Sequence, residues 1–204
     1  MATKQIRTIT ATKQIRTITG EFRLSFPSLF QKTGFAGGAE KYGITMLFDK
    51  KKGKKDADAI LQAAKAVLAT NPKKWKPALL KEVQGQLAKK LIRDGNTKDY
   101  IGYAGNFFMT AKNERKPGLV DERAQPIIDQ EDIYPGCYCR ASIVPFVYDN
   151  AGNRGVALSL QNVQKLRDGE SFMGGTKAED EFSAVETDDD EFSAVETDDD
   201  EDFE

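Results

Sequence analysis

The sequence predicts a mainly β domain, a small barrel or a curled antiparallel sheet, with a pair of helices inserted between its second and third strands. Five segments alternate apolar and polar residues with the period of a strand, and one stretch has the period of a helix instead. From Gly174 onward the residues are mostly acidic or small. Such a composition has too little apolar surface to fold, so we expect a disordered tail after the domain.

The first two predicted strands precede the helical stretch. The segment EFRLSF at 21–26 alternates strictly, and Pro27 is expected to end it because proline donates no hydrogen bond to a sheet. The segment KYGITMLFD at 41–49 alternates in the same way. Three phenylalanines of these segments are expected in the core: Phe22, Phe26 and Phe48.

The helical insert is predicted to span about 56–94. Asp56 can cap a first helix that ends before Pro72, and Pro77 can open a second one. The second helix carries an apolar stripe that is expected to contact the core: Leu80, Val83, Leu87 and Leu91.

Three further strands are predicted after the insert. They are NFFMTAK at 106–112, GCYCRASIVPFVYD at 136–149 and RGVALSL at 154–160, and the last two can pair across NAGN as a hairpin. Cys137 and Cys139 share a strand face with apolar residues, so we interpret them as reduced thiols that fill the core.

Two exact tandem repeats frame the chain. ATKQIRTIT occupies 2–10 and again 11–19, and EFSAVETDDD occupies 181–190 and again 191–200. A verbatim second copy would have no place of its own in a packed structure, so we interpret one copy of each as an artefactual duplication. The sequence then divides into an N-terminal strand region at 1–19, a folded domain at 20–173 and a tail at 174–204.

The formal net charge of −2 is the sum of two opposed blocks. Residues 1–176 contain 29 lysines and arginines against 17 acidic residues, a net charge of +12. Residues 177–204 contain one lysine against 15 acidic residues, a net charge of −14. A body this basic is expected to attract polyanions, and its own tail is a polyanion.

Several classes of function are disfavoured by what the sequence contains. There is no histidine, the commonest general base and metal ligand, and the two cysteines have no second pair with which to build a zinc site. We therefore expect no enzyme activity, no metal and no cofactor. No apolar run is long enough to span a membrane, and MATKQIRTIT is too polar for a signal peptide, so an intracellular protein is expected.

Two features leave alternatives open. Asp129, Glu131 and Asp132 cluster as the carboxylates of a small magnesium-dependent nuclease or recombination factor could, although a solvated turn has the same pattern. The glycine-rich TGFAGGAEKYG at 33–43 lacks the ending of a phosphate-binding loop and precedes a strand. It is either a mobile connection or a flap beside a binding groove.

Basic residues interleaved with aromatic ones favour binding of single-stranded nucleic acid. Cations can pair with the phosphates, and flat rings can stack on the bases. The candidate DNA-binding residues are Arg23, Lys41, Tyr42, Trp75, Tyr103, Phe107, Lys112, Arg115, Tyr138, Arg140 and Arg154.

The segment YPGCYCRASIVPFVYDNAGNRGVALSLQNVQKLRDGE at 134–170 resembles the C-terminal core of phage-encoded single-stranded DNA-binding proteins, a family once known as a domain of unknown function in phage genomes. FPSLF at 26–30 and the acidic end with a penultimate Phe203 resemble the family too. The resemblance implies an oligonucleotide-binding (OB) domain at 20–173, with a five-stranded OB-type barrel. It also implies a non-enzymatic, sequence-tolerant role in phage DNA replication and recombination in the host cytoplasm.

The charge split and the resemblance together suggest a role for the tail. A tethered strip of carboxylates can occupy the DNA groove until DNA displaces it, and can then recruit a phage or host polymerase or helicase. The candidate contact residues are Asp198, Asp199, Asp200, Asp202 and Phe203. A tail that serves only solubility, and an adaptor protein whose tail imitates nucleic acid, are the alternatives. The sequence leaves the oligomeric state open, with a homodimer among the states it allows.

Overall fold

The computed structural model describes residues 15–34 and 39–173. The first copy of the N-terminal repeat, part of the glycine-rich loop and the whole acidic tail lie outside the described residues. The expectations for Asp198, Asp199, Asp200, Asp202 and Phe203 therefore have no structural counterpart here.

Strands dominate the described part of the chain, as the alternation predicted. Two helices lie between the second and third long strands, where the helical period was found, and a short 3-10 turn, Gly95–Thr97, follows them. The helices are α1 (Lys54–Ala69) and α2 (Pro77–Leu91). The strands are β1 (Thr17–Ile18), β2 (Phe22–Thr33), β3 (Lys41–Asp49), β4 (Arg93–Asp94), β5 (Asn106–Asn113), β6 (Gly118–Val120), β7 (Tyr138–Asn150) and β8 (Asn153–Arg167).

Five strands close into a ring in the order β7–β2–β3–β5–β8, with β8 pairing back to β7. Neighbours are antiparallel except β5 and β8, which are parallel. The ring has two short seams, because β2 pairs with β7 at Phe22 and Arg23 only, and β5 pairs with β8 at Ala111 and Lys112 only. The expected OB-type arrangement of five strands is confirmed. Because two of its five seams are so short, the strands form a ring and not a complete barrel.

Strand β2 corrects one expectation, since it does not end at Pro27. The pairing with β3 shifts register between Ser25 and Ser28, and β2 then continues to Thr33. Proline is tolerated at this irregularity because the local ladder is interrupted there. The bulge also turns Phe26 out of the core, where it is 58% exposed, whereas Phe22 and Phe48 are buried as expected.

The helices agree with the prediction except at one cap. Helix α2 begins at Pro77, and Val83, Leu87 and Leu91 of its stripe are buried, with Leu80 packed at the margin of the core. Helix α1 begins at Lys54 after Gly53, so Asp56 lies inside its first turn instead of capping it. A carboxylate in the first turn still favours the helix through the helix dipole.

The core fills the inside of the ring and the space beneath the helices. Its fully buried members come from the inner faces of the strands and from α1, including Leu24, Met46, Met109, Ile60 and Leu68.

The two cysteines belong to the same core. Both are buried and unbridged, with Sγ of Cys137 3.6 Å from Sγ of Cys139, as the alternation predicted. The hydrogen bond with Cys137 and burial both raise the pKa of the Cys139 thiol, so it remains protonated.

The connection between the helices is attached to the β7–β8 hairpin through Asp149. Trp75 Nε1 and Arg154 Nε each donate a 2.8 Å hydrogen bond to Asp149 Oδ2. The hairpin turn NAGN is confirmed, and its central residues Ala151 and Gly152 have φ of 47° and 88°. Positive φ at both positions is the type I′ geometry that suits the twist of paired strands.

We predict that Asp149→Asn lowers the thermal unfolding temperature near neutral pH. The hydrogen bonds from Arg154 and then Trp75 hold the pKa of the Asp149 carboxyl below its usual value. This contribution to stability is complete above the pKa of an unfolded aspartate and is lost as the pH falls through the lower folded-state pKa. The difference in unfolding temperature between wild type and variant, measured by circular dichroism, should therefore become smaller in acid. Asp58→Asn, on the exposed face of α1, is the matched control. An equal decrease in unfolding temperature for this variant would contradict a specific stabilising role of Asp149.

Candidate nucleic-acid interface

An open cleft of about 530 Å³ lies on the outer face of β2, β3 and β5. The alternation of β3 creates this face, because Lys41, Gly43 and Thr45 point into the cleft while Met46 and Phe48 point into the core. Aromatic rings and cations share the lining: Phe26, Tyr100, Tyr103, Phe108, Lys41, Arg93, Lys98 and Lys112.

Four rings form a continuous series of contacts across the cleft, two of them T-shaped and the third tilted. The ring centroids are 5.2 Å apart for Phe26 and Tyr100, 5.3 Å for Tyr100 and Tyr103, and 5.2 Å for Tyr103 and Phe108. Tyr103 is only 2% exposed, whereas Tyr100 is 54% exposed. The buried rings thus support exposed ones, which leaves apolar ring surface facing solvent within a basic cleft.

Arg93 is the best-oriented cation of the cleft. Its guanidinium carbon lies 4.3 Å from the centroid of Phe108, and its Nη2 donates a 2.5 Å hydrogen bond to Thr110 Oγ1. Burial lowers the pKa of Arg93 from its ordinary value, yet arginine remains charged at all accessible pH. A fixed guanidinium with unused donors is suited to binding a phosphate.

Gly43 leaves room on the cleft side of β3 for the side chain of Lys112. A Cβ at this position would lie 2.9 Å from Lys112 Cγ and 3.2 Å from the Ala111 carbonyl oxygen. Any other residue at position 43 would therefore push Lys112 out of its place. The glycine leaves room for the lysine stem and for close approach to the β3 backbone.

Three of the candidate DNA-binding residues lie in the cleft: Lys41, Tyr103 and Lys112. Arg23 lies beside it: its guanidinium carbon is 4.3 Å from the ring centroid of Phe172, which packs against the cluster of Leu47, Tyr103 and Phe108. The Arg23 side chain also donates hydrogen bonds to the carbonyls of Gly136 and Glu170, so two of its five N–H donors are engaged within the fold.

Three further candidates lie near the cleft strands but do not line the cleft. Tyr42 shares the β3 face of the core residues, and Lys32 Nζ lies 5.7 Å from its ring centroid. Phe107 alternates with Phe108 on β5 and so lies on the opposite face. Arg115 follows the end of β5 and is exposed.

The remaining four candidates have partners elsewhere in the fold. The guanidinium of Arg167 stacks on the ring of Tyr138. Arg140 Nε donates a 2.7 Å hydrogen bond to Gln164, and Arg154 forms an ion pair with Asp149. The structure does not bring Trp75 to the cleft either, because its ring is 8% exposed and packed in the core. The lysines around Trp75 are exposed, which made the segment look like a stacking site in the sequence.

The family model for the single-stranded DNA-binding protein of Enterobacter phage Enc34 matches residues 15–193. The chain belongs to this family. Putative protein p50 of Acyrthosiphon pisum secondary endosymbiont phage 1 is 35% identical over 159 residues, which cover 75% of this chain and 84% of that protein. The family resemblance stated from the sequence is thereby confirmed. Single-stranded DNA-binding proteins are not enzymes, so this membership supports the expectation of a non-enzymatic protein.

Two solved structures have a similar fold. The single-stranded DNA-binding protein from bacteriophage Enc34 in complex with single-stranded DNA superposes with a TM-score of 0.65 at 23% identity, covering 77% of this chain and 89% of that one. The same protein without DNA gives a TM-score of 0.62 at 22% identity, covering 82% and 90%.

The sequence did not identify three members of the cleft as binding residues: Phe26, Arg93 and Lys98. Phe26 looked like a core residue because its alternation with Phe22 and Leu24 is perfect. The Pro27 that follows it was the available signal for a bulge. Arg93 and Lys98 become neighbours of β3 only through the pairing of β4 with β5, which no local pattern reveals.

The nuclease alternative gains no support from the described part of the chain. Within it, no group of three or more histidine, cysteine or acidic side chains is placed to hold a metal ion. Asp129, Glu131 and Asp132 are exposed on the loop before β7, where Asp129 Oδ1 accepts a 2.9 Å hydrogen bond from the Glu131 amide. Among the described residues, no helix is long and apolar enough to cross a membrane.

We predict that Trp75 fluorescence is protected from iodide in the folded protein. Trp75 is the single tryptophan of the chain, and its buried ring donates to Asp149, so a charged quencher has no access to it. Stern–Volmer titrations of folded and denatured protein should give a steep slope only after denaturation. A steep slope for the folded protein would contradict the burial of the ring.

Proposed function

We propose that this protein binds single-stranded DNA with little sequence preference, and that the cleft on β2, β3 and β5 is the binding surface. The observation that carries the proposal is the mixture of exposed rings and oriented cations in one open cleft. Membership of a family named for a single-stranded DNA-binding protein supports the same conclusion.

In the proposed mode of binding, phosphates replace counterions at Lys41, Arg93, Lys98 and Lys112 while the bases contact the rings. Every base has an apolar face, so contacts of this kind tolerate any sequence. Duplex DNA binds poorly because its base faces are already stacked on one another. Of the candidates outside the cleft, Arg23 and Arg115 are cations and would contribute through charge.

We predict that the double variant Lys41→Gln, Lys112→Gln weakens binding and flattens its salt dependence. Each lost phosphate contact should reduce the slope of log K against log salt concentration by about 0.7 for a single strand, or about 1.4 for both. Fluorescence anisotropy with an end-labelled oligonucleotide at several salt concentrations measures this slope.

The matched control is Lys65→Gln, Lys89→Gln, which removes two exposed lysines from the outer faces of α1 and α2. It changes the net charge equally but leaves the cleft intact. Equal slopes for the two double variants would show that only the overall charge matters, and would exclude the cleft as the binding surface.

We further propose that the tail at 174–204 regulates this site. The support is the charge split, with −14 in residues 177–204 against +12 in the rest of the chain. A tethered polyanion competes with DNA for the same cations until DNA displaces it. The freed carboxylates, Asp198, Asp199, Asp200 and Asp202, would then steer a basic replication partner, with Phe203 as the apolar anchor. This function would serve phage DNA replication and recombination in the host cytoplasm.

We predict that a chain ending after Gly175 binds single-stranded oligonucleotide more tightly than the full chain at low salt, and that the two converge as salt rises. Salt screens the attraction of the cleft cations for the tail as well as their attraction for DNA. The competition between tail and DNA is therefore strongest at low salt and fades as the salt concentration rises. Equal affinities at low salt would contradict the competition and leave a tail that serves solubility. Absence of binding by either chain would exclude the whole proposal and favour the adaptor alternative.

A further inference from the structure

Phe26 has a backbone conformation that its residue type disfavours. Its φ is 43°, in the left-handed region that only glycine adopts freely. Four other non-glycine residues in the ranges 15–34 and 39–173 have positive φ, at Asn71, Lys74, Ala124 and Ala151, and all four lie between regular elements. Phe26 alone among these five is inside a strand.

The unusual conformation has a direct geometric consequence. Without the bulge, the alternation of β2 would place Phe26 on the core side together with Phe22 and Leu24. With it, the ring is turned to the opposite face and enters the cleft, 5.2 Å from Tyr100 and 6.3 Å from Tyr103 between ring centroids. A bulge beside a binding site commonly redirects one side chain in this way.

Burial does not explain why the chain keeps this conformation. A strand that stayed regular would bury the ring, whereas the observed strand exposes 58% of it to solvent. Two unfavourable features, a disfavoured φ and a solvated phenyl ring, thus occur at one residue. Strain that persists at a surface beside cations is typical of a residue kept for contact with a ligand.

We propose that the bulge at Phe26 and Pro27 holds the Phe26 ring out of the core as a stacking surface for a single nucleobase. This inference rests on the proposed function and assigns one contact within it. The neighbours favour a nucleobase as the occupant, because Lys41 and Arg93 of the same cleft are available for the adjoining phosphates. The ring planes of Tyr100 and Phe26 meet at 78°, and Phe26 in this contact remains 58% exposed, so surface is left for a base.

The test compares the variants Phe26→Ala, Phe26→Gly and Phe26→Trp on two labelled oligonucleotides of equal length. One oligonucleotide is normal, and the other carries abasic residues throughout, so that it offers phosphates but no base. Anisotropy at low salt gives the dissociation constants. The alanine and glycine variants should lose about tenfold in affinity for the normal oligonucleotide and less than twofold for the abasic one. The tryptophan variant should retain wild-type affinity.

A stability comparison checks the strain separately. Glycine accepts a positive φ and alanine does not, although both remove the ring, so Phe26→Gly should unfold about 2–4 °C higher than Phe26→Ala. An alanine variant as stable as the glycine variant would show that the bulge is not strained.

The outcomes separate this inference from the proposed function. Equal losses on normal and abasic oligonucleotides would mean that the ring shapes the cleft without touching a base, and would overturn the inference. Unchanged affinity in the alanine and glycine variants, with binding still weakened by Lys41→Gln, Lys112→Gln, would overturn it too and leave the cleft assigned. Failure of the wild-type chain to bind either oligonucleotide would overturn both.

Discussion

The eight consecutive residue pairs between β3 and β5 are the constraint on which the rest of the structure depends. They run from Tyr42 opposite Asn113 to Asp49 opposite Asn106 and have no register shift. Because side chains alternate across a sheet, this register gives the two strands a core face and a cleft face at the same time. A slip of one residue would turn one strand over relative to the other, for example placing Lys112 on the core side. The hydrophobic core therefore fixes the position of the cleft, and a binding surface on this sheet needs no separate stabilisation.

The sequence alone predicts those features whose signals lie within one element, and it does not predict those that depend on contacts between distant segments. The bounds of β3 follow from its alternation, and the start of α2 follows from Pro77, because both signals lie within the element itself. The position of Phe26 could not be deduced in the same way. Its alternation with Phe22 is perfect, and only the register with β3 reveals the bulge. The burial of Trp75 could not be deduced for a different reason: its lysine-rich surroundings are exposed, while its ring donates to Asp149 across a separation of 74 residues.

The net charge of the body overstates the cations that are free for a polyanion. Several basic side chains are already paired within the fold, as Arg154 is with Asp149 and Arg167 with Glu21. Lys41 is different, because its partner Glu114 is 3.4 Å away and 71% exposed. Exposed ion pairs of this kind contribute about 0–1 kcal/mol, so a phosphate can replace Glu114 at little cost. The contrast explains why Lys41 is a stronger candidate for DNA contact than Arg154, although nothing in their local sequences distinguishes them.

Arg23 shows how a residue of the predicted site can also contribute to the fold. The seam between β2 and β7 contains two residue pairs, which leaves the ring weakly closed at the place where β2 begins. Backbone hydrogen bonds from Leu24 to Cys137 and from Gly136 to Leu24 extend the seam, and the Arg23 guanidinium adds bonds to the carbonyls of Gly136 and Glu170. The same guanidinium stacks on Phe172, whose ring packs against the cluster of Leu47, Tyr103 and Phe108 beneath the cleft. The charge of Arg23 is thus used to join the end of the described chain to the wall of the cleft. The ring therefore closes at this seam through Arg23 as well as through the backbone, just before β2 bulges at Phe26.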